Sequence, residues 1–120
     1  MSAEVPTCAS MAECRAHDGE RVEVVGTYTV WDPMPDRPDG LDPPTQVIIA
    51  VEPDGAGPYL GAWGRPGHFR DLAEIASLDG RRVRVVGTFH ADMPPHPTDP
   101  PEAASLGGPC LHPVESVRPA

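Results

Sequence analysis

Apolar and polar residues alternate with a two-residue period through Val22–Val24 and Val83–Val85. The valines face one way while Arg21, Glu23, Arg82 and Arg84 face the other, the pattern of half-buried strands. Upstream of each strand the period lengthens to three and four. Phe69, Leu72, Ile75 and Ala76 form one apolar stripe, and Met11, Cys14 and Ala16 form a shorter one, so a helix is predicted before each strand. Ser10-Met11-Ala12-Glu13 and Asp71-Leu72-Ala73-Glu74 fit the capping box, in which the first side chain accepts from the opening turn and the Glu reaches back. Asp18-Gly19 and Asp79-Gly80 then stop both helices, since glycine takes the left-handed conformation that ends one.

The two segments are copies of one another. Residues 10–28 and 71–89 align at an offset of 61 with ten of nineteen positions identical. Gly26 and Gly87 fall inside the repeated strand, where a missing side chain marks a bulge or bend of the kind a small closed barrel needs at its corners. A proline-rich loop follows each copy, over 32–44 and 92–108, and both loops contain Met-Pro and Asp-Pro-Pro. Chain then returns as an apolar strand, at Gln46–Glu52 in the first half and Cys110–Val117 in the second. Pro58–Gly64 reads as a further short strand after the turn at Asp54-Gly55.

The predicted order is helix, three strands, helix, two strands, in one domain over residues 1–120 with its core in about 10–118. A short helix followed by Asp-Gly-x-x-Val-x-Val-x-Gly, here Asp18 to Gly26, resembles the opening of bacterial OB-fold domains. The resemblance implies an all-β chain with two short helices, closed as a five-stranded OB-fold barrel. It also implies that the two proline-rich loops share one rim beside the face of barrel strands two and three.

Composition narrows the function classes. The chain carries eighteen acids against nine bases, every base is Arg, and the net charge is −9. Such a balance repels phosphate backbones and anionic lipid. No apolar run has the length of a membrane span, and no signal-peptide pattern opens the sequence. The chain as it stands therefore reads as cytoplasmic, with export behind a removed leader as the alternative. Three cysteines, Cys8, Cys14 and Cys110, match no metal-site spacing. Cys14 stands where the other copy has Ile75, so it reads either as a small buried hydrophobe or as half of a disulfide with Cys8 or Cys110.

No nucleophile elbow, phosphate loop or paired metal-binding histidines occur. The expectation is therefore a non-enzymatic module with no catalytic residues, cofactor or metal. Long loops on a rigid barrel are where binding residues gather. The candidate contact residues are Trp31, Met34, Pro35 and Arg37 around the first loop, and Met93, Pro94 and Pro95 in the second. Tyr59, Trp63 and Arg65 add one side of the third barrel strand. A protein partner, or another copy of the chain, suits these stiff acidic prolines best. Two alternatives stand beside it. Aromatics with an Arg can stack single-stranded nucleic acid, and His90 and His96 with the rim aspartates can hold Ca²⁺ in a ligand-binding domain of an exported protein.

Overall fold

The computed structural model describes residues 5–31, 46–51, 55–61, 70–92 and 108–120. Six strands and two short helices run in the order β1 (Thr7–Cys8), α1 (Met11–Arg15), β2 (Arg21–Trp31), β3 (Gln46–Ala50), β4 (Tyr59–Leu60), α2 (Leu72–Leu78), β5 (Arg82–His90) and β6 (Cys110–Pro119). Five of the strands close a barrel in the order β2-β3-β4-β6-β5 and back to β2. Neighbours in the ring are antiparallel except β4 and β6, which run parallel. The two-residue β1, which the sequence pattern did not indicate, lies parallel on β2 through Thr7↔Glu23 and Cys8↔Val24.

The ring closes because β2 serves two partners in turn. Its first part pairs with β5 from Arg21↔Thr88 to Thr27↔Arg82, and its last part pairs with β3 from Thr27↔Ala50 to Trp31↔Gln46. The exchange happens beside Gly26. A Cβ there would lie 2.5 Å from the Ala50 carbonyl oxygen and 2.8 Å from Ile49 Cγ2, so only a bare backbone fits. Gly87 marks the other irregularity. The β5–β6 register shifts on both sides of it, and a Cβ would come within 2.8 Å of the Pro113 carbonyl oxygen. Pro113 has no N–H to give to the ladder, which is why proline in a sheet sits at such a bulge.

One cluster fills the barrel. Val22, Val24, Tyr28, Val47, Ile49, Leu60, Val83, Val85, Phe89 and Leu111 are all fully buried in it. Along β3 the alternation buries Val47 and Ile49 and leaves Ile48 half-exposed, so Ile48 belongs to the outer face and not to the core. Val85→Ala removes two methyl groups from a site with no exposed surface, and is expected to lower stability by about 2 kcal/mol through lost burial and the cavity left behind. Urea unfolding measures it, and a change below about 0.5 kcal/mol would contradict the packing.

α2 differs from the sequence pattern in how it rolls, while α1 buries the residues expected of it apart from Ala16, which caps its end. On α1, Met11 and Cys14 are buried while Ala16 is exposed. On α2, Leu78 is buried and Ile75 packs on the core, but Ala76 is exposed and Leu72 is 52% exposed. The cause is a polar group. The fully buried Tyr28 donates its hydroxyl hydrogen to Glu74 Oε2 at 2.8 Å. Arg70 grips the same carboxylate at both oxygens, Nε to Oε2 at 2.7 Å and Nη2 to Oε1 at 2.8 Å. A buried phenol needs an acceptor, and turning Glu74 inward lifts Leu72 out. Hydrogen bonds from Arg70, with Tyr28 adding to them, hold the Glu74 carboxyl below its ordinary range against the opposing effect of burial. Burial first, and the Glu74 carboxylate second, push the Tyr28 hydroxyl well up.

In the other copy the aromatic is Phe89, which offers no hydroxyl, and the equivalent acid behaves differently. Glu13 folds back on its own helix start, accepting from the Ser10 hydroxyl at 3.2 Å and the Ala9 N–H at 3.4 Å, while Ser10 caps the Glu13 N–H. In α1 both side chains thus bond at the helix start, Ser10 to the Glu13 N–H and Glu13 one residue upstream of the cap, whereas in α2 only Asp71 caps, through the Ala73 N–H.

The repeat is also a symmetry of the fold. Val24 and Val85 occupy equivalent positions and face each other in the β2–β5 pairing, so a local two-fold axis passes between them. The hydrogen bonds obey it. Gly19 N–H donates to the Phe89 carbonyl at 2.7 Å and Gly80 N–H to the Tyr28 carbonyl at 2.8 Å. Phe89 N–H donates to Glu20 and Tyr28 N–H to Arg81 in the same reciprocal way. One equivalent pair breaks the pattern in charge: Glu23 and Arg84 form a 2.9 Å ion pair, and Arg118 adds a second cation to Glu23 at 3.2 Å.

Candidate binding groove

The alternation that buries Val47 and Ile49 turns Ile48 outward, and β3 pairs Ile48 directly with Tyr59 of β4. Directly opposed residues share a face, so an aliphatic and an aromatic side chain stand side by side outside the barrel. Both ends of α1 and the chain just before β6 complete the lining. Together Met11, Arg15, Ile48, Ala56, Gly57, Tyr59, Gly108 and Pro109 enclose a groove of about 390 Å³, within the size range of ligand clefts.

Each wall has a local cause. Ile49 N–H donates to the Pro58 carbonyl at 3.0 Å and Val51 N–H to Ala56 at 3.1 Å, which folds residues 56–58 across β3. Gly57 passes so close to the Ile49 carbonyl that a side chain would collide with it. Tyr59 N–H donates to the Pro109 carbonyl at 2.9 Å, fixing the chain just before β6. A Cβ on Gly108 would rest 3.8 Å from Tyr59 Cε2, so the backbone there lies against the ring. The floor is Met11, 5% exposed. Arg15, in the last turn of α1 and exposed at the groove, forms no ion pair with any described residue. The groove is apolar with one cation, a surface for an apolar group that carries a negative charge.

Of the contact residues expected from the sequence, Tyr59 lines this groove. The backbone of Trp31 ends β2 opposite Gln46. Met34, Pro35, Arg37, Trp63, Arg65, Met93, Pro94 and Pro95 lie outside the described residues, as does His96. His90 uses its Nε2 on the His112 carbonyl at 2.9 Å. No group of three or more His, Cys, Asp or Glu converges on a metal-sized site among the described residues, and no described helix is long and apolar enough to cross a membrane.

Sequence reasoning missed Met11, Arg15 and Ile48. A strict two-residue count from Val47 would have turned Ile48 outward. Nothing local in the sequence brings α1 to β3, because that approach depends on how the barrel closes. Compared with protein-family models, curated proteins and solved structures, the chain finds no match.

Proposed function

We propose that this protein is a non-enzymatic binding module on an OB-type barrel, and that it grips a protein partner or a second copy of itself through the Ile48/Tyr59 groove and the adjoining loop rim. The ring order supports the OB-type reading. Numbered along the ring-forming strands, it is 1-2-3-5-4-1, with the third and fifth strands parallel. OB-type barrels bind on the face of strands two and three and on the loops beside it, which correspond here to β3, β4 and the two proline-rich segments.

The observation that carries the reading is the position of the groove. It lies on the β3–β4 face, and its far wall, Gly108 and Pro109, directly follows the proline-rich residues 92–107. Groove and loop are continuous along the chain, so one partner can touch both. An apolar side chain of the partner fills the space between Met11, Ile48 and Tyr59, and a carboxylate meets Arg15. Energy at such contacts concentrates in a few large side chains and arginines.

The test uses the full chain and a Tyr59→Ala/Arg15→Glu double variant. Cross-linking in host extract, with sedimentation of the chain alone, identifies a protein partner or a self-complex. The double variant is expected to weaken that complex at least about tenfold, the cost of one hot-spot residue, while circular dichroism shows the barrel still folded. Undiminished binding by the variant removes the groove from the contact. Retention of a labelled oligothymidine that falls steeply with salt assigns the face to single-stranded nucleic acid instead, a reading favoured only by Tyr59 and Arg15 lying together.

A further inference from the structure

The lining of the Ile48/Tyr59 groove restricts what can enter it. Met11, Ile48, Ala56 and Pro109 carry no strong hydrogen-bonding group on their side chains. The backbone beside them is already engaged: Ile49 N–H donates to the Pro58 carbonyl, Val51 N–H to the Ala56 carbonyl, and Tyr59 N–H to the Pro109 carbonyl. An ordinary extended segment pressed into this space buries amide N–H groups without acceptors, which is unfavourable. Proline has no N–H to lose. Proline-rich peptides also favour the extended polyproline helix that aromatic-lined grooves accept, and Tyr59 supplies the aromatic face here.

The cation sets a second condition. Met11 and Arg15 are the first and last residues of α1, four apart and so on one side of the helix, about 6 Å from each other along its axis. Two residues of a polyproline helix also advance about 6 Å. A segment with a proline over Met11 therefore brings the residue two positions away to Arg15, and an acid at that position matches the charge. Asp-Pro-Pro meets both conditions, and the chain contains it twice, at 42–44 and 99–101. Residues 42–44 lie outside the described residues. Only Thr45 separates Pro44 from Gln46, which is paired with Trp31 at the start of β3. One residue is too few to turn the segment back over Ile48 of its own chain.

We propose that the groove takes the Asp42-Pro43-Pro44 segment of a second copy of this chain, with Pro44 over Met11 between Ile48 and Tyr59 and Asp42 on Arg15. The inference rests on the groove being the contact surface, and names the segment that fills it. Arg15 forms no ion pair with any described residue, so the contact breaks none there. The segment adjoins β3 and the groove is built on β3, so two copies can exchange segments reciprocally. A reciprocal exchange uses the same patch on both copies and closes at a dimer.

The test is sedimentation equilibrium of the full chain at about 0.15 M salt, where the net repulsion between two acidic chains is screened beyond about 8 Å. A dimer is expected. Asp42→Arg and Arg15→Glu should each weaken it at least about tenfold, the cost of one hot-spot contact, with circular dichroism confirming the fold. Asp42→Arg/Arg15→Glu, which exchanges the charges, should recover most of that loss. Tyr59→Ala and Pro43→Ala/Pro44→Ala should each dimerise poorly alone, and a mixture of the two should form a mixed dimer, because it retains one intact groove and one intact segment. A monomer at every concentration overturns the assignment, as does a charge exchange without recovery or a dimer weakened by Asp99→Arg in place of Asp42→Arg. A complex that needs Tyr59 and Arg15 but not Asp42 removes the segment and leaves the groove as the contact surface. A complex indifferent to Tyr59 and Arg15 removes both.

Discussion

Gly26→Val is expected to unfold most of the protein at 25 °C. The added Cβ would start 2.5 Å from the Ala50 carbonyl oxygen and 2.8 Å from Ile49 Cγ2, well inside van der Waals contact. Ile49 is fully buried and has no space into which to turn, and the carbonyl belongs to the backbone of a paired strand. Relief therefore requires β2 and β3 to part where the Thr27↔Ala50 and Tyr28↔Ile49 pairs hold them together. Overpacking a core costs about 1–3 kcal/mol even when side chains can adjust. Losing two or three ladder hydrogen bonds adds about 1 kcal/mol each. A total of about 5 kcal/mol matches the whole stability of many domains. Gly26→Ala should fall between the two. Urea titration followed by circular dichroism reads the loss directly, and a Gly26→Val protein within about 1 kcal/mol of the parent would mean the close approach is not what bends β2.

Glu74→Ala is the second large effect, and it carries a pH signature. The substitution leaves the Tyr28 hydroxyl buried without its acceptor and leaves Arg70, whose side chain is 17% exposed, without its carboxylate. Removing one member of a fully buried ion pair costs about 3–5 kcal/mol. The partial exposure here brings the expectation to about 3 kcal/mol, a Tm drop on the order of 15 °C for a domain of this size. Because the folded-state carboxyl titrates below its unfolded value, its contribution is complete above the unfolded carboxylate pKa of about 4.3. It fades as pH falls through the lower, folded-state pKa. The stability gap between parent and Glu74→Ala should thus be wide at pH 7 and narrow steadily below about pH 4. A gap independent of pH would show that Glu74 contributes by packing and not by its charge.

The barrel strands were legible because valine alternation is a local signal. Val22, Val24, Val83 and Val85 announced both strands and their inward faces, and all four are fully buried. The face of α2 was legible only in part, since it depends on a partner far away in the chain. Leu72 fits an apolar stripe by spacing, yet Glu74 takes the inward position because Tyr28, 46 residues distant, brings a hydroxyl into the core. The same limit hid the groove. Ile48 and Tyr59 were each visible as residues, but Arg15 and Met11 line the same groove only once the ring has closed. β1 escaped notice for a simpler reason: two residues carry no period.

The opposite charges at Glu23 and Arg84 give the two-fold axis a consequence for assembly. In a barrel built from two first halves the axis would bring Glu23 against Glu23, and in one built from two second halves Arg84 against Arg84. Like charges at that spacing repel, whereas one half of each kind gains the 2.9 Å contact. The two halves thus share one backbone but carry opposite charges where they meet, and the mixed pair holds a contact that a like pair would replace with repulsion.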